Sequence, residues 1–156
     1  MKAIILFDSY FGNTEKVAHA IADSLAGKAE VQVLRVNEVK TAQLEGIQLL
    51  VVGSPTRGFR PSEATLAFFT NLPTGSLTGI HAAAFDTRID PAGVTLKMLK
   101  FLMKSFGYAD KAIVNELQKK GASLVSIGQG FIVKDSEGPL KEGELGRAAE
   151  WAKTLL

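Results

Sequence analysis

Apolar positions come in short dense runs separated by amphipathic stretches and polar turns. Ala3 to Phe7 is one such run, ending at Asp8 and Ser9. A run of this kind predicts a strand buried on both faces, as strands of a parallel sheet are. After a polar turn, Ser9 to Thr14, the residues Val17, Ala18, Ile21 and Leu25 recur at helical spacing, and Gly27 supplies a stop. Val31 to Val36 alternates apolar and polar, which suits a strand at the sheet edge with one wetter face. A short irregular or helical piece covers Thr41 to Leu44, and Ile47 to Val52 is the third strand.

Gly53 to Pro61 is a loop. Ser62 is placed to cap the next helix, with Glu63 favourably near its positive end and Leu66, Phe69 and Leu72 along it. Ile80 to Phe85 predicts a fourth strand, whose three consecutive alanines imply closely packed neighbouring helices. A polar loop, Asp86 to Gly93, precedes a helix from Val94 to Phe106 that carries Leu96, Leu99, Met103 and Phe106. Lys111 to Leu117 fits a helix or a strand. Ser123 to Ile127 and Gly130 to Val133 make a strand interrupted at Gly128-Gln129, and Asp135 to Gly138 is a turn. The last helix runs from about Glu142 to Leu155, with Leu145, Ala148, Trp151, Ala152 and Leu155 inward.

Strands alternating with helices predict an α/β fold, a three-layer αβα doubly wound parallel sheet in a single domain over residues 1–156. Ligands of such sheets bind beyond the carboxyl ends of the strands. The loops Ser9–Thr14, Pro55–Pro61 and Asp86–Gly93 should therefore share one rim.

Composition narrows the chemistry. With no cysteine there is no disulfide framework, thiolate metal site or cysteine nucleophile. Two histidines, His19 and His81, are too few and too far apart in sequence to suggest a metal centre. Eighteen basic against sixteen acidic residues, net +2, with no block of like charge, argue against nucleic-acid binding. The first apolar run is too short for a signal peptide, and nothing approaches the ~18 apolar residues of a membrane span, so a cytoplasmic protein without membrane insertion is expected.

The first loop, Ser-Tyr-Phe-Gly-Asn-Thr, leads from a buried strand into a helix. Gly12 permits a tight turn, and the unpaired N–H groups of a helix start, with the helix dipole, attract a phosphate. Ser9, Asn13 and Thr14 add side-chain donors. An ordinary cap by Asn13 or Thr14 explains the same residues. Two familiar phosphate fingerprints are absent: no G-x-G-x-x-G follows the first strand, and Gly53 and Gly58 are followed by Phe59 and Arg60 rather than Lys and Ser/Thr. A phosphorylation receiver needs a carboxylate where Ser54 and Pro55 stand, and G-x-S-x-G is missing.

Ser9-Tyr10-Phe11-Gly12-Asn13-Thr14-Glu15-Lys16-Val17-Ala18 resembles the phosphate loop of flavodoxin-like proteins, which bind FMN. Gly53 to Pro61 resembles their second flavin loop, and Gly138 to Trp151 the closing helix of some flavodoxin-domain proteins. The resemblance implies a five-stranded sheet of order 2-1-3-4-5. It also implies that Ser9, Gly12, Asn13 and Thr14 hold the phosphate, with backbone help from Tyr10 and Phe11, since Phe11 has no hydroxyl where many members do. Pro55, Thr56, Arg57, Gly58 and Phe59 would pass along the flavin, Gly58 offering a flipping peptide to its N5 and Phe59 a ring to its face. Asp86, Thr87 and Arg88 would meet the pyrimidine edge. The third loop has no aromatic where many flavodoxins carry a tyrosine, which leaves ring burial to Phe59, Ile89 and Arg88.

Flavodoxins are typically acidic, whereas this chain has a pI near 8.9. A unit charge ~6 Å away at an effective dielectric of ~20 contributes roughly 3 kcal/mol before screening. Arg57, Arg60 and Arg88 therefore predict an easier second reduction and redox partners with acidic docking surfaces. The function expected is electron transfer through bound FMN by a monomer or weak dimer. An FMN-dependent NAD(P)H quinone or nitro reductase, and a binding module that has lost FMN, are the alternatives.

Overall fold

The computed structural model describes residues 1–90 and 96–156. The later part of the expected third loop, the helix start at Val94 and the side chain of Phe106 lie outside the described residues. The elements are β1 (Lys2–Phe7), α1 (Asn13–Leu25), β2 (Glu30–Arg35), a short 3-10 helix (Thr41–Leu44), β3 (Leu49–Pro55), α2 (Glu63–Asn71), β4 (His81–Ile89), α3 (Lys97–Phe106), α4 (Ala109–Lys119), β5 (Ser123–Leu124), β6 (Gln129–Val133) and α5 (Glu144–Lys153).

Every strand pairing is parallel, in the order β2-β1-β3-β4, with β5 and β6 both on the far side of β4. β5 pairs with His81 and Ala82 and β6 with Phe85 to Ile89, so the two are halves of one interrupted fifth strand. Gly128, with φ +105°, lies in the interruption. This is the expected order 2-1-3-4-5.

β1 shows why the sheet is central. Ala3, Ile5 and Phe7 pack into the layer that holds α1 and α5, while Ile4 and Leu6 face the layer of α2 and α4. Both faces are covered, as the unbroken apolar run requires. β2, at the edge, keeps Val31 and Val33 only partly buried. Ala82 and Ala84 meet Ile113 and Leu117 of α4, and Ala83 belongs to the α1–α5 side. Lys111 to Leu117 is thus helical, the need to cover β3 and β4 deciding what the local pattern left open. Trp151 of α5 stands edge-on to Phe85 and Phe131, with centroids 6.3 and 6.0 Å away.

Several expectations require correction. β4 does not stop at Phe85 but continues to Ile89, because β6 pairs with it that far. β3 begins at Leu49 and ends at Pro55. Leu145 is 43% exposed, lying beside Lys16 and His19 on the outer side of α1. The apolar stripe of α3 is mostly uncovered: Met103 is buried, but Leu96 is 67% exposed. Among the described residues no helix is long and apolar enough to cross a membrane.

Candidate functional site

Because all strands run one way, the carboxyl ends of β1, β3, β4 and β6 form a single rim. The first segment on it turns at Ser9, whose Oγ accepts from the Gly12 N–H at 2.9 Å. Gly12 has φ +89° and is the N-cap of α1, with no side-chain cap. Asn13 and Thr14, the residues that could have capped the helix, are engaged elsewhere. Asn13 Nδ2 donates to the Glu137 carbonyl at 3.0 Å, and the Thr14 and Thr87 hydroxyls are 2.8 Å apart. Among the described residues no side chain caps α1, and the free N–H groups of its first turn are the arrangement that attracts an anion.

The second segment is tied to the first. Arg57 and Arg60 exchange backbone hydrogen bonds of 3.0 and 3.1 Å, closing a turn over Gly58 and Phe59, both at positive φ. The Arg57 guanidinium lies 5.4 Å from the Tyr10 ring centroid and 5.0 Å from that of Phe11, and donates to the Ser136 carbonyl at 3.1 Å. Arg57 thus bridges three segments of the rim. Behind it, Ser54 is fully buried and its Oγ accepts from the Ser62 N–H, while Ser62 Oγ caps α2 at Thr65.

Asp86, Thr87 and Arg88 belong to β4. They pair with β6, and as far as Thr87 with β3, so their main-chain groups serve the sheet rather than a free loop. Arg88 donates to Asp86 at 2.6 and 2.7 Å and reaches Asp110 at 3.0 Å, and its guanidinium rests 3.8 Å above the Tyr108 ring. One side of the Arg88 guanidinium is thus taken by Tyr108, while Arg88 still lines the cleft. Burial pushes the Asp86 carboxyl up from 3.8 to about 6, despite the opposing hydrogen bond and charge of Arg88. Burial works against the Arg88 charge too, but its two carboxylates prevail and raise its pKa.

A cleft between these segments is lined by Ser9, Tyr10, Phe11, Asn13 and Thr14 from the first, Pro55, Thr56 and Arg57 from the second, and Thr87 and Arg88 from β4. Gly12, Gly58, Phe59 and Asp86 are not among its lining residues. Its aromatic lining residues are Tyr10 and Phe11, for which the family resemblance implies only backbone roles. Ile89, Val133 and Ser136 complete the wall. The last two follow from the same rule as the others, since β6 ends on this rim, but its exit turn carries no recognisable motif. Among the described residues no group of His, Asp and Glu is placed to hold a metal ion.

The family model of the flavodoxins matches residues 5–151. The chain belongs to the flavodoxin family. Flavodoxins bind FMN and carry electrons. A comparison with curated proteins finds no match. Among solved structures, flavodoxin 1 of Bacillus cereus is similar over 99% of this chain and 97% of its own, with 21% identity and a TM-score of 0.75. Flavodoxin 2 of the same organism has 23% identity, the same coverage and a TM-score of 0.74. The rubredoxin:oxygen oxidoreductase of Desulfovibrio gigas is also similar, with 17% identity and a TM-score of 0.74, over 99% of this chain but 35% of that one. These likenesses show the fold. The fit to FMN rests on this chain's own rim, where an uncapped helix start adjoins the buried Ser9 and Thr14 and opens beside two aromatic rings.

Proposed function

We propose that residues 1–156 act as one flavodoxin-like unit that binds FMN in the rim cleft and exchanges electrons with other proteins. The uncapped, positively polarised start of α1, opening into a cleft faced by Tyr10 and Phe11, carries this reading. Bound FMN supplies one- and two-electron redox chemistry, and the chain supplies binding, orientation and field.

The Ser9 and Thr14 hydroxyls and the N–H groups of Asn13 and Thr14 hold the phosphate, with the Gly12 N–H fixing the Ser9 hydroxyl. Asn13 serves chiefly through its backbone, because its amide is held by Glu137. Tyr10 and Phe11 shield the ring system on one side, and Thr56, Ile89 and Val133 bound it on the other. Gly58, at φ +54° in an exposed turn beside the cleft-lining Arg57, is where a peptide flip toward a reduced flavin costs least. Arg57 supplies positive charge, which suits partners with acidic docking surfaces.

Titration of the purified protein with FMN tests the proposal. Stoichiometric quenching of flavin fluorescence and a yellow complex are expected. A protein that leaves FMN fluorescence unchanged would lack the cofactor function. Rapid NADPH oxidation with a quinone and no partner protein would make the chain a reductase instead.

A further inference from the structure

α3 is the least integrated helix of the fold. Among the described residues it makes only slight contact with other elements, although it follows β4 and precedes α4 in the chain. Its sequence, Lys-Met-Leu-Lys-Phe-Leu-Met-Lys-Ser-Phe, holds three lysines and no carboxylate. At about 100° per residue, Lys97, Lys100 and Lys104 fall on one stripe and Phe101 and Met98 on the stripe beside it, while Leu99 and Met103 turn the other way. Burial agrees in part: Met103 is buried and Leu99 is 37% exposed, whereas Phe101 is 67% and Met98 77% exposed. Solvent thus meets a face that is at once basic and apolar.

This face is joined to the rim. Gly107 ends the helix, the Tyr108 ring supports Arg88, and the Ala109 N–H donates to Thr56 Oγ1 at 3.0 Å. Arg88 and Thr56 both line the cleft.

We propose that α3 is the docking helix for an acidic redox partner, which sets carboxylates against Lys97, Lys100 and Lys104 and an apolar patch against Phe101 and Met98. This rests on the electron-carrier reading and names where its partner binds. Charge complementarity selects the occupant. A second copy of the chain would oppose lysines with lysines, and although Leu96, Met98, Leu99 and Phe101 are all exposed, a ten-residue helix offers a shorter apolar side than the helices that lie in membrane surfaces. Lysines next to exposed apolar groups match a protein surface with an apolar centre and a charged rim. Docking there brings the partner's redox centre beside the cleft.

The test uses a small acidic [2Fe–2S] ferredoxin as probe. Its binding is titrated by NMR shift perturbation, with and without FMN, at low salt and at about 0.2 M salt. Binding centred on α3 and weakened by salt is expected. Lys97→Glu with Lys100→Glu should weaken it about tenfold at low salt and flatten the salt dependence, whereas Lys28→Glu, at the opposite end of the sheet, should not. Phe101→Ser should weaken binding without changing the salt slope. The proposal is overturned if the lysine reversals leave binding unchanged, if the ferredoxin does not bind, if the chain instead binds phosphatidylserine vesicles through α3, or if sedimentation shows α3 buried in a dimer. Absorbance of the same samples separates the two claims. A colourless protein removes the FMN reading yet leaves ferredoxin binding measurable, and a yellow one with unchanged binding removes the docking helix alone.

Discussion

Phe85 lies with its ring where a side chain on Gly53 would have to be. The two residues face each other across the β3–β4 pairing, and a Cβ on Gly53 would come within 2.0 Å of the Phe85 ring tip. Phe85 is fully buried, between Phe131 and Trp151, and has nowhere to retreat. Gly53→Ala should therefore destabilise the protein by about 3 kcal/mol, at the upper end for an overpacked core. Urea unfolding should show a lower midpoint at unchanged slope. Gly27→Ala, with open space around it, should leave the midpoint unchanged or slightly raised.

The hydroxyl pair of Thr14 and Thr87 predicts an asymmetric effect on FMN. Thr14 stands in the first turn of α1 and has a donor to offer a phosphate, whereas Thr87 lines the cleft from β4 and pairs with the Thr14 hydroxyl. Thr14→Ala should weaken FMN about tenfold, the worth of one hydrogen bond to a charged group, and Thr87→Ala several-fold less. Flavin fluorescence titration measures both. Equal affinities for Thr14→Ala and the parent protein would mean that the phosphate is held elsewhere.

What could be read beforehand was whatever short-range pattern determines. The unbroken run Ala3 to Phe7 demanded two covered faces and obtained them, and Gly12-Asn13-Thr14 marked a strand-to-helix corner. What escaped depends on partners distant in sequence. β4 outlasts its apolar run because β6 pairs with Asp86 to Ile89, and no local feature announces that pairing. Arg88 looked like a loop arginine until Asp110 and Tyr108, more than a turn of helix away in the chain, closed around it. Tyr10 and Phe11 are large apolar residues in a polar turn, a signal that could have been read as exposed ring faces. The uncovered stripe of α3 has the same helical period as a buried one, so periodicity alone could not tell them apart.

Asp86 gives stability an unusual pH slope. Its carboxyl is raised from 3.8 to about 6, chiefly by burial, so the folded state binds a proton more tightly than the unfolded one. Its contribution is fully present below about pH 4 and is lost as pH rises through about 6, amounting to about 3 kcal/mol at 1.36 kcal/mol per unit. Glu144 acts oppositely. Burial opposes its charge, but Arg147 and the Ile132 N–H prevail and lower its pKa below 4.5, so its stabilisation is lost only as pH falls below that range. Urea unfolding at a series of pH values should show stability declining between about pH 4 and 6, and Asp86→Asn should remove that decline. A parent protein whose stability rises steadily over the same interval would contradict the shift.

Three arginines were expected to lend positive charge to the flavin, and the structure divides them. Arg88 is balanced by Asp86 and Asp110, and Arg60 does not line the cleft. Arg57 lines it without an ion-pair partner among the described residues, held by two rings and a carbonyl. Removing each charge should therefore have different consequences. Arg57→Gln should cost about 1 kcal/mol of stability, the worth of its exposed contacts with two rings and a carbonyl, yet lower the potential for the second electron by tens of millivolts, a solvent-screened fraction of the unscreened Coulomb value. Arg88→Gln should cost about 3–5 kcal/mol of stability, because two carboxylates are left buried without a counter-charge. Spectroelectrochemical titration and urea unfolding of both variants separate the roles. If Arg57→Gln leaves the potential unmoved, the positive field at the flavin does not come from Arg57.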